Sequence, residues 1–374
     1  MASSLTAYDP NLHKNALSSP PKLVPFDEVL GIITKILSTE EGVKSILDNQ
    51  LEAFQMSSSS SSSKCASLPI QTAGQPPYAT LAAGPQAQVC IKTGYASGDT
   101  VMVSKCAAGG GKHSGNTGSV SVYDQKTLRL KAVLCDEGLL TEIRTAAAAA
   151  VATRAAILAA GTRVQKMGVI GGGVQAIWQL RLLAASKIIN PNESRVVIKT
   201  SSRASAEKFI QTMKESPHEP DRQWTLMEPY DDNSKFHGCQ VIHSVTPARS
   251  PVLDVGDVDL PKAGNNPFLH ISAIGSDSPG KCELALDLLK LADVSLVDSL
   301  LQTVERGEFQ NSRCEGFKFP LKELGEPGVV DSATGKLAVD RGAAAKSQAL
   351  FTIFDSSGMA MQDVQMAKLV AQNL

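Results

Sequence analysis

Short apolar runs alternate with helical patterns through the middle of the chain. In Val174–Ser186 and Ala204–Lys214 the apolar residues recur at the spacing of a helix. Five apolar runs predict β-strands, at residues 167–170, 195–200, 239–245, 268–275 and 293–298. Because strands that alternate with helices form a parallel sheet covered on both faces, we expect a doubly wound α/β domain over about 160–325.

The regions on either side of this domain have a different pattern. Short apolar runs separated by glycine-rich loops lie within residues 65–135 and predict an antiparallel β-sheet. The segment 349–370 has a strand–turn–helix pattern. We expect this segment to pack on the domain that contains the antiparallel sheet. The predicted fold is α/β, with a Rossmann doubly wound parallel sheet and a discontinuous β-rich domain. We place the Rossmann domain at 146–329 and the β-rich domain at 1–145 and 330–374.

An alanine-rich segment connects the two predicted domains. Thr141 is a suitable N-cap and Gly161 a suitable stop, which predicts one long helix. Ala146–Ala160 is its most apolar part, and Arg154 interrupts it. We judge this segment too short and too polar to span a bilayer, and we expect no membrane partner.

Composition narrows the class of protein. Hydrophobic residues make up 43% and charged residues 20% of the chain, as in soluble globular proteins. The net charge is -1, so no basic stripe is available for a nucleic-acid partner. The seven cysteines form no CxxC pair, which favours reduced thiols and argues against a metal site. With no secretory signal at the N-terminus, we expect a cytoplasmic protein.

The sequence GGGVQA follows the first predicted strand of the parallel sheet and opens the next helix. It fits the turn G-x-G-x-x-A that holds the phosphates of a dinucleotide. Gly171 permits the tight turn, Gly173 lets the backbone approach the pyrophosphate, and Ala176 keeps the helix close to the sheet. Val174 and Gln175 begin the helix, whose N-terminus attracts negative charge. A tight corner with a purely structural role is the alternative.

The end of the second strand indicates which dinucleotide is bound. NAD-binding sites usually place an acidic residue there, beside the 2′-hydroxyl of the ribose. This chain has Ser201, Ser202 and Arg203 at that point and no carboxylate. Hydroxyls and an arginine suit a 2′-phosphate, so NADP(H) is favoured and NAD(H) is the alternative. Arg203 would otherwise be a solvated residue at the start of a helix.

Three charged residues stand where chemistry could use them. Asp277 follows a strand of the parallel sheet, at the edge where such sheets bind ligands. Lys92 lies inside an apolar strand, and Arg144 lies near the start of the long helix. A cation at the positive end of a helix indicates that an anion binds there, and a substrate carboxylate would serve. A surface aspartate and a lysine that reaches solvent are the ordinary alternatives.

From about residue 64 to the end, the order of motifs resembles the ornithine cyclodeaminase/mu-crystallin family. The matching segments are VCIKTGY (89–95), LLTEIRTAAAAAVATRAAILA (139–159), MGVIGGGVQA (167–176), VIHSVTPARSPVL (241–253), HISAIGSDSPGKCEL (270–284), LVDSLLQTVERGEF (296–309) and FTIFDSSGMAMQD (351–363). The resemblance implies a homodimer in which the β-rich domain binds substrate and dimerises. It also implies hydride exchange at the α-carbon of a small amino or imino acid.

The resemblance implies roles for single residues as well. Lys92 and Arg144 would hold the substrate carboxylate, and Asp277 would be the acid/base at the substrate nitrogen, with Lys92 beside it in catalysis. The further cofactor contacts would be Thr246, Lys281 and Ser357.

Two departures from the family bear on the reaction. Lys64 stands beside a serine tract, where the family has an arginine that also clamps the carboxylate. Ala79 stands where ornithine-using members have a glutamate. Together with the missing ribose acid, these departures favour a ketimine reductase-like oxidoreductase. Ornithine cyclodeaminase, an amino-acid dehydrogenase and a non-catalytic NADPH-binding protein are the alternatives.

Overall fold

The computed structural model contains two large sheets joined by a long helix. Lys64, predicted to clamp the substrate, lies outside the described residues. The structure describes residues 20–58, 79–82, 88–96, 99–109, 117–262, 266–313, 319–338 and 349–374.

The first sheet confirms the predicted antiparallel region. Its strands are β1 (Lys22–Val24), β2 (Ala79–Ala82), β3 (Gln88–Tyr95), β4 (Val101–Gly109), β5 (Thr117–Asp124) and β6 (Leu130–Leu134). The order across the sheet is β1-β6-β5-β4-β3-β2, and only the β1–β6 pair among these is parallel. Residues alternate between the two faces of a strand, so Val101, Val103 and Lys105 of β4 share one buried face.

The second sheet is entirely parallel and confirms the Rossmann-type fold. Its strands are β7 (Lys166–Ile170), β8 (Arg195–Lys199), β9 (Met227–Pro229), β10 (Val241–Ser244), β12 (Phe268–Ala273), β14 (Val294–Val297), β15 (Leu321–Glu323) and β16 (Leu350–Asp355). Their order is β15-β14-β16-β12-β10-β7-β8-β9, so the strand order reverses between β7 and β10. Two short strands, β11 (Arg249–Leu253) and β13 (Cys282–Leu284), pair separately.

Helices lie between the strands and against both sheets. The predicted helices at 174–186 and 204–214 are confirmed with small shifts at their ends. The helices are α1 (Phe26–Leu37), α2 (Glu40–Ser57), α3 (Leu139–Ala160), α4 (Val174–Ala185), α5 (Arg203–Glu215), α6 (Glu219–Arg222), α7 (Leu286–Lys290), α8 (Leu300–Arg306) and α9 (Ala360–Ala371).

The predicted domain boundary near the C-terminus needs one correction. Residues 330–374 were assigned to the β-rich domain, yet β16 lies in the parallel sheet between β12 and β14. All six residues of β16 are buried, as expected of a strand covered on both faces. Only α9 packs as predicted, against β3, β4 and β5 of the first sheet. The chain therefore crosses between the two sheets within the turn that separates β16 from α9.

Helix α3 is the predicted connector, with two corrections. Its N-cap is Gly138 and not Thr141, and the carboxylate of Asp136 accepts a hydrogen bond from the N–H of Leu140. Gly161 ends it in a left-handed conformation, as predicted. The helix is also long and apolar enough to cross a membrane, so the sequence argument from length was wrong. Most of its apolar stretch is buried inside the protein, as in a core helix.

Candidate functional site

A cavity of about 360 Å³ lies between the carboxyl edge of the parallel sheet and strands β3 and β4 of the first sheet. It brings together residues that are far apart in sequence and that come from both sheets. The predicted residues among those that line it are Lys92, Arg144, Gln175, Thr246, Asp277, Lys281 and Ser357.

The cavity opens where the strand order reverses, the usual ligand position in such sheets. The loops after β7 and β10 touch there. Gly171 has φ +119, and a Cβ at this position would lie 2.9 Å from Cγ2 of Val245. Its N–H donates to the carbonyl of Lys199 at 2.8 Å. Gly171 is therefore required by the turn itself, as the sequence predicted.

Gly173 is different, because the protein does not need a glycine there. It is the N-cap of α4, and a Cβ built on it would meet nothing within 4 Å. No side chain caps α4, and its first turn contains no acidic residue. Open space beside free N–H groups fits a dinucleotide pyrophosphate. Ala176 is fully buried and keeps the helix close to the sheet.

The first two residues of α4, Val174 and Gln175, lie in different surroundings. Val174 is 38% exposed, an unusual position for an apolar side chain beside the phosphate turn. Gln175 donates through Nε2 to the carbonyl of Glu142 at 3.1 Å and so joins α4 to the start of α3. Trp178, one turn later, donates to the carboxylate of the same Glu142 at 3.1 Å. These contacts hold the phosphate turn against the helix that carries Arg144.

The end of β8 presents the predicted hydroxyls and guanidinium. Ser202 is the N-cap of α5 and accepts a hydrogen bond from the N–H of Ser205. Arg203 forms an ion pair with Glu207 at 3.0 Å, and both side chains are exposed. Ser201 is also exposed. The Arg203 guanidinium is therefore accessible to solvent at the end of β8.

Three buried cations surround one buried carboxylate at the inner end of the cavity. Lys105 Nζ lies 2.7 Å from Oδ1 of Asp363, and Arg144 Nε lies 3.4 Å from the same oxygen. Lys92 donates from Nζ to the carbonyl of Gly358 at 2.8 Å. Lys92 and Lys105 are partners in the β3–β4 register. Three cations beside one carboxylate can attract a further anion into the cavity.

Burial and mutual repulsion alter the acidity of this cluster. Burial, together with the nearby Lys105 and Arg144, lowers the pKa of Lys92 to about 8. Burial also lowers the pKa of Lys105, although Asp363 opposes the shift. Burial acts to raise the pKa of Asp363, but the three cations outweigh it and hold that pKa below its usual value. An anion bound here would gain from each of these charges.

The turn between β16 and α9 completes the cluster. Gly358 has φ +84, and a Cβ there would lie 2.5 Å from an Nη atom of Arg144. Its N–H donates to Asp298 at 2.6 Å, which fixes the turn from the opposite side. Ser357 lines the cavity, and its buried hydroxyl has no hydrogen-bond partner within the part of the chain that is described. An unpaired hydroxyl facing a cavity fits a bound polar group.

Asp277 lies at the outer part of the same cavity. Its Oδ1 accepts a hydrogen bond from Lys281 Nζ at 2.5 Å, and its backbone carbonyl accepts one from Arg306 Nε at 2.9 Å. The Asp277 side chain is 46% exposed, whereas the three cations are buried. The carboxylate can therefore meet both a bound ligand and solvent, as a proton-transferring group must.

Thr246 is held by a residue that the sequence reasoning missed. Its backbone N–H and its hydroxyl both donate to Oε1 of Glu283. Glu283 is fully buried, and burial raises its pKa against four hydrogen bonds that act to lower it. Behind it, burial and the Glu283 charge raise the pKa of Glu308 to about 7. Glu283 therefore positions the loop over the cavity and does not face it.

The sequence reasoning also missed Lys105 and Asp363, which belong to the buried charge cluster. Lys105 had a readable signal, since the alternation in Val101, Val103 and Lys105 places it on a buried face. Asp363 had none, because α9 is buried on nearly all sides and only its packing on β3 and β4 brings it to the lysines. Lys92 and Arg144 were identified from the sequence and do lie together.

The comparison with known proteins agrees with this fold. The profile of the ornithine cyclodeaminase/mu-crystallin family matches residues 119–374. The chain is 30% identical over 240 residues to an alanine dehydrogenase of Archaeoglobus fulgidus, which is 64% of this chain and 65% of that protein. It is 30% identical over 258 residues to an iminosuccinate reductase of Paracoccus denitrificans, a match that covers 68% of this chain and 69% of that protein. The chain thus spans about two thirds of the length of these relatives.

Solved structures share the fold along almost the whole chain. An archaeal alanine dehydrogenase dimer with bound NAD superposes with a TM-score of 0.70 at 22% identity, covering 94% of this chain and 95% of that one. The iminosuccinate reductase of Paracoccus denitrificans in complex with NAD+ gives 0.70 at 24% identity, with the same coverage. The profile match spans well over half of the chain, and the sequence belongs to the ornithine cyclodeaminase/mu-crystallin family.

Proposed function

We propose that this protein is an NAD(P)H-dependent oxidoreductase that reduces a small α-imino acid to the amino acid. The observation that carries the proposal is the convergence of Lys92, Arg144 and Asp277 on one cavity beside the phosphate turn. These side chains could bind the carboxylate and the nitrogen of an imino acid in that cavity, beside the ring of the coenzyme. Relatives named alanine dehydrogenase and iminosuccinate reductase support an enzyme of this general kind.

The buried cations bind the substrate carboxylate. Arg144 offers a planar fork that suits a carboxylate, and Lys105 and Lys92 add charge in a buried site. Because Asp363 and Gln362 already hold the guanidinium, Arg144 is oriented before the substrate arrives. A carboxylate fixed in this way orients the neighbouring α-carbon and its nitrogen.

Asp277 governs the proton on the substrate nitrogen. Its carboxylate accepts a hydrogen bond from the protonated imine, which keeps the carbon electrophilic. The C=N bond takes a hydride at carbon, and the nitrogen of the amine product retains its proton. A bound NAD(P)H supplies the hydride and is oxidised to NAD(P)+. Lys281, 2.5 Å from Asp277, orients this carboxylate in the absence of substrate.

NADP(H) is the proposed coenzyme, with NAD(H) as the alternative. The hydroxyls of Ser201 and Ser202 and the guanidinium of Arg203 support a 2′-phosphate at the end of β8. Three related solved structures hold NAD, NAD+ or NADH. Comparing the Kd of NADPH and NADH for the wild type and Arg203→Ala tests the point. Loss of NADPH affinity alone would support the proposal, and equal losses would count against it.

The decisive assay is a panel of linear and cyclic imino acids, each tested with NADPH and with NADH. Reduction of at least one imine is expected. Incubation with ornithine and no added reductant distinguishes a cyclodeaminase, because that reaction forms proline and ammonia. Formation of proline there, with no imine reduced, would refute the reductase. Coenzyme binding without any turnover would favour a non-catalytic role.

We also propose that the protein is a cytoplasmic homodimer. An alanine dehydrogenase of the same fold is described as a dimer. Light scattering of the purified protein tests the dimer, and a mass equal to one chain would contradict it. Fractionation of cells that express the protein tests its location.

A further inference from the structure

A fully buried histidine, His243, lies in β10, near the middle of the parallel sheet. Its ring Nδ1 lies 2.9 Å from Oε1 of Gln179 in α4, and its Nε2 lies 2.9 Å from Oγ1 of Thr153 in α3. Both partners are fully buried as well. Burial lowers the pKa of His243 to about 3, so near neutral pH the imidazole is uncharged, with one N–H and one acceptor nitrogen. The two ring nitrogens therefore have opposite roles.

A series of hydrogen bonds runs from His243 along α4 to the cavity. Gln179 Nε2 donates to Oε1 of Gln175, one helical turn earlier, at 3.5 Å, and Gln175 Nε2 donates to the Glu142 carbonyl at 3.1 Å. Gln175 and Glu142 both line the cavity, and Gln175 is the second residue of α4, close to the phosphate turn. The series thus connects the core of the sheet with the wall of the cavity.

The direction of each bond in this series follows from its end at Glu142. A carbonyl can only accept, so the Gln175 atom that faces it is the amide nitrogen. The Gln175 oxygen then faces the nitrogen of Gln179, and the Gln179 oxygen faces His243. That oxygen also only accepts, so the imidazole proton is on Nδ1 and Thr153 donates to Nε2. As a donor, His243 holds both glutamine amides in one of their two orientations.

A second buried histidine on the same face of the sheet lacks this connection. His270 of β12 is the register partner of Val241, two residues before His243, and it is also fully buried. Its ring nitrogens lie 2.8 Å from Oγ1 of Thr352 and 2.9 Å from Oγ of Ser272. Neither of these partners is among the described residues that line the cavity. His270 therefore matches His243 in burial and hydrogen bonding but not in its link to Gln175.

We propose that His243 is a positioning residue for coenzyme binding, which acts through Gln179 to fix the Gln175 amide where it binds the phosphates of the dinucleotide. The inference rests on the proposed function, since it concerns the coenzyme of that reaction. Gln175 Nε2 has two N–H groups, and the Glu142 carbonyl accepts from one of them. The other can donate to a phosphate beside the first turn of α4, which contains no acidic residue. An amide that is already oriented loses less conformational freedom when the coenzyme binds.

Two substitutions of His243 that each keep one of its hydrogen bonds test the proposal. The amide of asparagine lies near the place of Nδ1 and can donate to Gln179, whereas the amide of glutamine lies near the place of Nε2 and faces Thr153. We expect His243→Asn to keep the Kd of NADPH within about twofold and His243→Gln to raise it about fivefold, as for one neutral hydrogen bond. Fluorescence titration measures the Kd, and thermal melting shows that each variant is folded. An equal Kd in the two variants would overturn the inference.

The control variants remove similar contacts that do not lead to Gln175. Thr153→Val removes the hydrogen bond to Nε2 of His243, and His270→Gln alters the second buried histidine. Both should lower Tm, because buried polar groups lose partners, and both should leave the Kd of NADPH unchanged. A rise in Kd as large as that of His243→Gln would indicate a general effect of the core and would overturn the proposal.

The loss of affinity should also depend on Gln175 itself. In a Gln175→Met background, His243→Gln should have no further effect on the Kd of NADPH, because the amide that it positions is absent. Losses that add in the double variant would contradict the proposed path. If His243→Gln does not fold, Gln179→Met breaks the same series of hydrogen bonds and should raise the Kd in its place. An unchanged Kd in Gln179→Met would equally overturn the inference.

Measuring coenzyme affinity separates this inference from the proposed reaction. NADPH affinity that depends on His243 supports the inference even if no imine is reduced, in which case only the proposed reaction fails. Imine reduction together with an unchanged Kd in His243→Gln refutes the inference alone. A wild-type protein that binds neither NADPH nor NADH would overturn both.

Discussion

The carboxylate of Glu283 holds Thr246 by two hydrogen bonds to one oxygen, from the backbone N–H at 2.7 Å and from the hydroxyl at 2.8 Å. The same oxygen accepts from Ser244, and the other oxygen accepts from the N–H of Gly275 at 2.7 Å. One buried side chain therefore joins the loops that follow β10 and β12. Both loops line the cavity, so their positions depend on this contact.

We expect Glu283→Gln to destabilise the fold and to weaken substrate binding. Each oxygen of Glu283 faces a backbone N–H, which can only donate, so the amide NH2 of glutamine would oppose a donor in either orientation. The expected loss is about 1–3 kcal/mol in the free energy of unfolding. Chemical denaturation of the variant measures it, with the exposed Glu228→Gln as control. Equal stability of the two variants would show that the contact is unimportant.

Gly173→Ala should remove coenzyme binding and leave stability unchanged. Its Cβ would enter open space in the protein, where a pyrophosphate is expected. Gly171→Ala is the matched control, because the left-handed conformation at this position and Val245 both oppose a side chain. That variant should lower Tm. Fluorescence titration with NADPH and thermal melting test the pair, and normal NADPH affinity in Gly173→Ala would contradict the phosphate role.

Asp277→Asn should lose most turnover while still binding NADP(H). Removal of a general acid/base typically lowers the rate by about 10²–10⁴-fold. The Asp277 side chain is partly exposed, and the amide oxygen of asparagine can still accept a hydrogen bond from Lys281, so the fold should remain intact. Steady-state kinetics and NADPH titration on the same preparation measure both effects. Unchanged turnover would remove Asp277 from the mechanism.

Arg144→Ala should raise KM for the carboxylate substrate far more than it changes kcat. The variant loses the fork that binds the carboxylate, and Asp363 retains Lys105 as its partner. The loss of a charged hydrogen bond corresponds to about 1.5–3 kcal/mol of binding. Arg144→Lys keeps the charge without the planar fork, so its KM should lie between the KM of the wild type and that of Arg144→Ala. A KM equal to that of the wild type would refute the clamp.

Substrate binding should weaken as the pH rises through about 8. The lowered pKa of Lys92 means that its ammonium is protonated below about 8 and neutral above it. Its attraction for a carboxylate is present at low pH and is lost as the proton leaves. The pH profile of kcat/KM reports this pKa in the free enzyme. Lys92→Arg should move the fall to higher pH, and an unmoved fall would assign it to another group such as Lys105.

Local pattern was sufficient for much of the secondary structure. The pattern correctly predicted the strands at 167–170, 195–200 and 268–275 and the helices at 174–186 and 204–214. It could do so because side chains alternate between the two faces of a strand and recur at a fixed spacing along a helix. The glycine turn was also readable, since Gly171 has a conformation that few other residues adopt.

Their positions in the predicted elements singled out Lys92, Arg144 and Asp277, and the resemblance to a family assigned all three to one site. The structure brings all three to one cavity, as expected. Lys64, which was also predicted to bind the substrate carboxylate, lies outside the described residues.

The sequence by itself determined the alternation of strands and helices in the middle of the chain, the phosphate turn and the separation into a parallel and an antiparallel sheet. Only the tertiary structure decided that β16 enters the parallel sheet and that Asp363 meets Lys105 and Arg144. Periodicity reports which face of an element is buried and not which element covers it. The ion pair between Lys105 and Asp363 joins residues 258 positions apart, and it forms only because α9 packs across β3 and β4.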